Sequence, residues 1–157
     1  NKDILELNND MHGVIGDTTD VKYHHKTNNS RYCVGTTDVD APGGDSRYQR
    51  TDEAPRGPVL STYPGNRYAY AQGTSMASPH AAGVAALIIS QYGKMPAGRV
   101  QAFLQQTSDS VPCPPNPFDP GGNGRYLAIC QGGSGYNGFY GHGQVNAFRA
   151  VTHSTGN

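Results

Sequence analysis

Tryptophan is absent from this sequence, charged residues make up only 15% of it, and the formal net charge is +0. A neutral chain has no excess charge to attract nucleic acid or an acidic membrane surface, so we expect neither partner. No run of about 18 apolar residues occurs, and no transmembrane helix is predicted. The chain begins with Asn1 rather than Met, and no basic segment followed by an apolar one comes after it. We interpret it as a processed chain or a fragment.

Apolar residues are also sparse, at 35%, whereas glycine (21) and proline (11) are abundant among the 157 residues. Such a chain is long enough for one domain with a single hydrophobic core. The glycine and proline content predicts that much of it runs in turns and ordered loops.

Cysteine is scarce, and Cys33, Cys113 and Cys130 lack the close pair spacing of a zinc site. No metal ligand set is therefore predicted. The segment between Cys113 and Cys130 is rich in proline and glycine and has little means of ordering itself. A disulfide there would close a loop of roughly 15 residues, contribute about 3 kcal/mol and indicate an oxidising, extracellular setting. The alternative is two unpaired thiols.

Short apolar stretches predict four strands. The last two are separated by Pro64-Gly65-Asn66, which is typical of a hairpin turn. The predicted strands cover 13–16, 36–41 (stopped by Pro42), 59–63 and 67–71.

Three helices are predicted after the hairpin. The first runs from Thr74 to Tyr92 with Gly93 as its C-terminal cap, and its small or apolar residues on every side predict burial on every side. The second has Pro96 in its first turn and an apolar stripe at helical spacing. That stripe comprises Val100, Phe103, Leu104 and Thr107, and a short third helix carries Val145, Phe148 and Val151.

The segment 73–83 reads Gly-Thr-Ser-Met-Ala-Ser-Pro-His-Ala-Ala-Gly, which places Ser75 at the start of the first helix. A serine at this point is most often an N-cap. It also lies where unpaired N–H groups and the positive end of the helix dipole stabilise a developing oxyanion.

This segment resembles the catalytic-serine signature of the subtilisin-like proteases over eleven residues without a gap. Further stretches resemble the same family in the same order along the chain. They are 39–44 (a strand and glycine turn), 60–64 and 68–70 (a hairpin), and 141–147 (the closing turn and C-terminal helix), with the cysteine-containing segment 113–133 similar to secreted bacterial members.

The resemblance implies an α/β fold with a mainly parallel sheet flanked by helices and a β-hairpin before the serine helix. Residues 1–157 would form one partial domain, the C-terminal portion of a secreted serine endopeptidase acting on polypeptides. Ser75 would be the nucleophile of an acyl-enzyme route, with an aspartate and a histidine as its partners. The family's motifs for those two residues are missing, so an N-terminal segment of the same protease is the expected partner.

Within this chain the candidates for the missing groups are poor. His12 precedes glycine but lacks the rest of the family's histidine motif, and His80 has no triad role in the family signature. Asn8 and Asn9 lack the context of the family's oxyanion asparagine. The isolated chain is therefore expected to be inactive.

Some residues depart from the family pattern. Cys33 stands where glycine is usual, and Asp17 falls in a strand that is usually apolar. Asp38 matches a cation-binding position of some members, which would imply a structural calcium ion, although a surface carboxylate is the simpler interpretation. No other cofactor is expected.

Two alternatives stay open. Residues 73–77 nearly fit the nucleophile elbow of α/β-hydrolases, in which the acid and histidine follow the serine, as Asp119 and His142 do. The second is a non-catalytic remnant that acts as a structural or binding module.

Overall fold

The computed structural model describes residues 15–18, 37–44, 58–119, 122–124 and 127–152. Within these residues no helix is long and apolar enough to cross a membrane. The elements are, in chain order, β1 (Ile15–Thr18), β2 (Val39–Pro42), β3 (Val59–Tyr63), β4 (Arg67–Ala71), α1 (Thr74–Tyr92), α2 (Ala97–Thr107), β5 (Gly132–Gly133), β6 (Tyr136–Asn137) and α3 (Ala147–Thr152).

β2 lies at the centre of a small sheet. It pairs in parallel with β1, with Ile15 opposite Val39. Along its other edge the segment 142–145 also runs parallel, since the amide of Asp40 donates to the Gly143 carbonyl (2.9 Å) and the Asp40 carbonyl accepts from the amide of Val145 (2.8 Å). The parallel arrangement expected from the family resemblance is confirmed here.

The strand that we expected to stop at Pro42 instead includes it, opposite Thr18. Proline lacks the N–H that a ladder uses, but at a strand end this loss is tolerated.

β3 and β4 form the predicted hairpin with the predicted bounds. Gly65 and Asn66 adopt positive φ angles of 83° and 55°, which glycine and asparagine tolerate better than other residues. The Arg67 guanidinium lies 6.0 Å from the centre of the Tyr63 ring across the end of the hairpin. The turn chemistry of Pro64-Gly65-Asn66 therefore sets the pairing register.

α1 is the element around which the core forms, and both of its predicted ends are confirmed. One stripe of the helix is buried, and it packs against β1, β2, α2 and α3. The main core combines this stripe with apolar residues of the other elements: Val39, Val84, Ala85, Ile88, Val100, Phe103, Leu104 and Ala150.

The opposite side of α1 is exposed, so the expectation of burial on every side is wrong. Leu87 is 46% exposed, and Pro79, Gly83 and Ala86 are exposed as well. A Cβ built on Gly83 meets no heavy atom within 4 Å. The reason is that the described residues supply a packing layer on one side of the helix only.

A second core cluster surrounds a disulfide between Cys113 and Cys130, which confirms that expectation. Asn116 pairs with the backbone of Cys130, donating to its carbonyl (2.7 Å) and accepting from its amide (2.8 Å). Asn137, fully buried, donates to the Val111 carbonyl at 2.7 Å. These side chains replace secondary structure in ordering a loop-rich region.

Candidate active site

Ser75 is exposed and lies at the second position of α1. Gly73 is the N-cap, with φ 131° and ψ 174°, and no side chain makes a capping hydrogen bond there. The interpretation of Ser75 as an N-cap is therefore wrong, because the helix begins one residue before it. Its hydroxyl is not used in capping.

The first turn of α1 leaves backbone donors beside this hydroxyl. The amides of Met76 and Ala77 both donate to the Gly73 carbonyl, at 2.8 and 3.3 Å. Within the described residues no hydrogen bond uses the amides of Thr74 and Ser75. Together with the positive end of the helix dipole, such donors stabilise negative charge that develops near the serine.

The start of α1 is fixed to the end of β2. The amide of Gly73 donates to the carbonyl of Gly43 at 2.8 Å. Ala41 of β2 packs with Ala77 and Ala81 of the helix, and all three side chains are 0% exposed. Methyl-sized side chains allow the helix to approach the strand closely, so the position of Ser75 follows from that of β2.

Neither described histidine is positioned by a contact with Ser75. The Nδ1–H of His80 donates to the Met76 carbonyl at 2.8 Å, which ties the ring to its own helix. The ring of His142 packs edge-on against Tyr136, with 5.1 Å between ring centres.

The α/β-hydrolase alternative fails on backbone geometry. A nucleophile elbow holds its serine in a sharp, strained turn, whereas Ser75 lies in a regular helix. Among the described non-glycine residues, Asn66 alone has a positive φ. The carboxylate of Asp119, the acid of that alternative, accepts a hydrogen bond from the amide of Gly124 at 2.7 Å.

Several sequence candidates cannot be placed. His12, Asn8, Asn9 and Cys33 lie outside the described residues, as does the side chain of Asp17, whose backbone belongs to β1.

Asp38 is half-buried, and its carboxylate binds two glutamine side chains of α2. Its oxygens accept hydrogen bonds from Gln101 Nε2 (2.5 Å) and Gln105 Nε2 (3.2 Å). Across the described ranges no group of three or more His, Cys, Asp or Glu residues is arranged to hold a metal ion. Calcium prefers six to eight oxygen ligands, whereas the two described side chains on the Asp38 carboxylate present N–H donors to it, and the structural calcium ion stays a prediction.

Sequence reasoning missed Asp40, which is 0% exposed in the centre of the sheet. Burial, and then the nearby Asp40 carboxylate, raise the pKa of the Tyr140 phenol above its usual range. The alternation of apolar and polar side chains along residues 39–41 would place Asp40 on a solvated face of the strand. The available signal was that parallel strands are covered on both faces.

Comparison with known proteins identifies relatives for most of this chain. The sequence model of the subtilase family matches residues 14–143. A thermophilic serine proteinase from Bacillus sp. (strain AK1) is 38% identical over 104 residues, which are 64% of this chain and 19% of that protein. Subtilisin DY from Bacillus licheniformis is 50% identical over 58 residues, 37% of this chain and 21% of its own length. The chain thus spans about a fifth of the length of these relatives.

Solved structures of proteases have a fold similar to that of this chain. The epidermin leader peptide processing serine protease from Staphylococcus aureus superimposes with a TM-score of 0.62 at 25% identity, covering 90% of this chain and 30% of that one. A protease from Pseudoalteromonas arctica gives a TM-score of 0.59 at 29% identity, covering 91% and 36%. Since the structural neighbours are subtilisin-like and the family match covers well over half of the residues, this chain belongs to the subtilase family.

Proposed function

We propose that this chain is the C-terminal, nucleophile-bearing part of a secreted serine endopeptidase that hydrolyses peptide bonds through an acyl-enzyme on Ser75. The observation that carries the proposal is an exposed serine hydroxyl at the N-terminus of α1, beside backbone N–H groups that no described residue uses. Membership of the subtilase family and the Cys113–Cys130 disulfide support the activity and the extracellular location respectively.

In the proposed reaction the Ser75 hydroxyl oxygen attacks the carbonyl carbon of the scissile bond while a histidine takes its proton. The amide of Ser75 donates to the resulting oxyanion. The C–N bond then breaks as the amine leaves with the proton, and water releases the acyl group by the same steps. No cofactor takes part.

The histidine and aspartate are proposed to come from an N-terminal segment of the same protease that packs on the exposed side of α1. This side presents Pro79, Gly83 and Leu87, which are small or apolar and are exposed in this chain. Exposed apolar side chains along one side of a helix offer such a segment a surface to bury. Without the segment the chain should be inert, since loss of the histidine alone costs subtilisin about 10⁶-fold in turnover.

The test is labelling with a fluorophosphonate probe, followed by peptide mapping. We would compare this chain alone with the chain co-expressed with the region encoded directly upstream of it. Labelling at Ser75 is expected only in the co-expressed sample. Ser75→Ala should abolish it, whereas Ser78→Ala, one turn nearer the C-terminus of the same helix, should not. A folded complex that does not label would contradict the proposal.

The second candidate is a non-catalytic module. It is favoured by one observation: the 74 residues before Ser75 contain neither an Asp-Ser/Thr-Gly nor a His-Gly-Thr-His motif. If the upstream gene region also lacks both motifs, this candidate replaces the first. A peptide library should then bind to the folded protein without being cleaved.

A further inference from the structure

The sequence contains two Asn-Gly pairs, Asn123-Gly124 and Asn137-Gly138. In such a pair the glycine nitrogen can attack the asparagine side chain, because glycine has no side chain to hinder ring closure and its backbone is conformationally permissive. The two pairs have the same local chemistry, but the fold places them in opposite environments.

Burial and hydrogen bonds protect Asn137 from this reaction. It is 0% exposed, its Nδ2 donates to the Val111 carbonyl (2.7 Å), and its Oδ1 accepts from the amide of Tyr140 (3.0 Å). The amide of Gly138 donates to the Gln131 carbonyl at 2.9 Å. Ring closure there requires these bonds to break first, so the reaction must wait for local unfolding.

Asn123 is exposed and lies between two glycines with positive φ angles, Gly122 (62°) and Gly124 (71°). The amide of Gly124, the attacking group, donates to Asp119 Oδ2 at 2.7 Å. At this distance a carboxylate can accept the proton that the nitrogen must lose. Asn123 therefore combines access to solvent with a proton acceptor on the reacting nitrogen.

We propose that Asn123 is a site of spontaneous deamidation in the folded protein, with Asp119 as the proton acceptor. The Gly124 nitrogen passes its proton to Asp119 and attacks Asn123 Cγ, so that a new N–C bond closes a five-membered ring. The proton then passes from Asp119 through water to Nδ2, and the Cγ–Nδ2 bond breaks to release ammonia and leave a succinimide. Water then opens one of the two imide bonds, giving an aspartyl or isoaspartyl residue. The product places a second carboxylate beside Asp119 within the loop that the disulfide closes.

The experiment is a time course of the folded chain in mildly alkaline buffer, followed by reduction, trypsin digestion and mass spectrometry. Trypsin separates the two pairs, because Asn123 falls in the peptide 100–125 and Asn137 in the peptide 126–149. We expect Asn123 to convert at least about tenfold faster, since each 1.4 kcal/mol of opening free energy slows the buried site tenfold. Equal rates, or faster conversion at Asn137, would overturn the proposal.

Two controls assign the cause. In denaturant with reductant both sites should convert at similar rates; a preference for Asn123 that persists there would show that the fold does not select it. Asp119→Asn keeps a hydrogen-bond acceptor of the same shape but removes the base. It should slow the deamidation of Asn123 roughly tenfold, a smaller effect than the loss of a general base costs an enzyme. The new asparagine precedes Pro120, which has no N–H and cannot react in this way. An unchanged rate in this variant would exclude the role of Asp119.

Discussion

The carbonyl oxygen of Gly43 accepts a 2.8 Å hydrogen bond from the amide of Gly73, so that the end of β2 holds the N-cap of the helix that carries Ser75. Gly73 can form this link because its φ of 131° is accessible to glycine and strained for other residues. The position of the proposed nucleophile thus depends on this pair of backbone groups as well as on the packing of Ala41 against Ala77 and Ala81.

Gly73→Ala should destabilise the folded protein by about 1–3 kcal/mol, since an alanine must adopt a strained backbone or release the bond to Gly43. Gly83→Ala is the matched control, because Gly83 is helical and an added Cβ meets nothing within 4 Å. That variant should gain about 0.5–1 kcal/mol. Denaturant unfolding measures both, and equal effects of the two substitutions would contradict the role of Gly73.

Replacement of Gly83 by a large residue distinguishes an effect on the folding of this chain from an effect on its binding of the N-terminal segment. In the chain alone Gly83→Leu should change the free energy of unfolding by less than about 1 kcal/mol, since the site is open. If the N-terminal segment packs on this side of α1, the same side chain should weaken its binding by about 1–3 kcal/mol through overpacking. Titration of the segment by calorimetry would show this, and undiminished binding would place the contact elsewhere.

Removal of the disulfide by Cys113→Ser with Cys130→Ser should lower the free energy of unfolding by about 2–4 kcal/mol, mainly because the unfolded chain becomes less constrained. The measurement is denaturant unfolding without reductant. Reductant should destabilise the parent protein by a similar amount and leave the variant unchanged. A parent protein insensitive to reductant would contradict this prediction.

Asn137→Ala should cost about 2–4 kcal/mol, because it leaves the Val111 carbonyl and the amides of Phe139 and Tyr140 buried without their partner. Gln106→Ala removes an exposed amide of α2 and should change stability by less than about 0.5 kcal/mol. Thermal unfolding of the two variants in parallel gives the comparison, and a small effect at Asn137 would show that the region can repack.

The raised pKa of Tyr140 predicts a loss of stability in alkali. Below about pH 10, the usual pKa of tyrosine, the phenol is protonated in both states and the full stability is present. Above that value the unfolded chain releases the proton while the folded chain retains it, so the free energy of unfolding falls by up to about 1.4 kcal/mol per pH unit. Tyr140→Phe should flatten this decline, whereas the same slope in both proteins would contradict the assignment.

The hairpin and helix α1 were predicted well because residues adjacent in the chain determine their turns and ends. The hairpin follows from Pro64-Gly65-Asn66 between two strand-like runs, and its bounds agree with the structure. The helix spans Thr74 to Tyr92 with Gly93 as its C-terminal cap, as the sequence indicates. In both cases the determining residues are neighbours in the chain, so no tertiary information is needed.

The missed features depend on contacts between distant residues. The N-cap at Gly73 depends on the carbonyl of Gly43, and the burial of Asp40 depends on the segment 142–145 that lies beside it. The network around Asn137 reaches Val111, 26 residues away. Composition and periodicity cannot detect such contacts, whereas the prediction of Ser75 as the nucleophile came from the family resemblance and stays a prediction.

The pairing of β2 with the segment 142–145 has a consequence for the order of events during synthesis. β2 emerges from the ribosome long before the residues that cover its second edge, and pairing between such distant segments is slow because a long loop must close first. Until then β2, which holds the start of the serine helix, has one unpaired edge. The proposed nucleophile should therefore reach its final position only after residues 142–145 have been translated, so that a ribosome-bound chain ending before residue 142 carries an incomplete site.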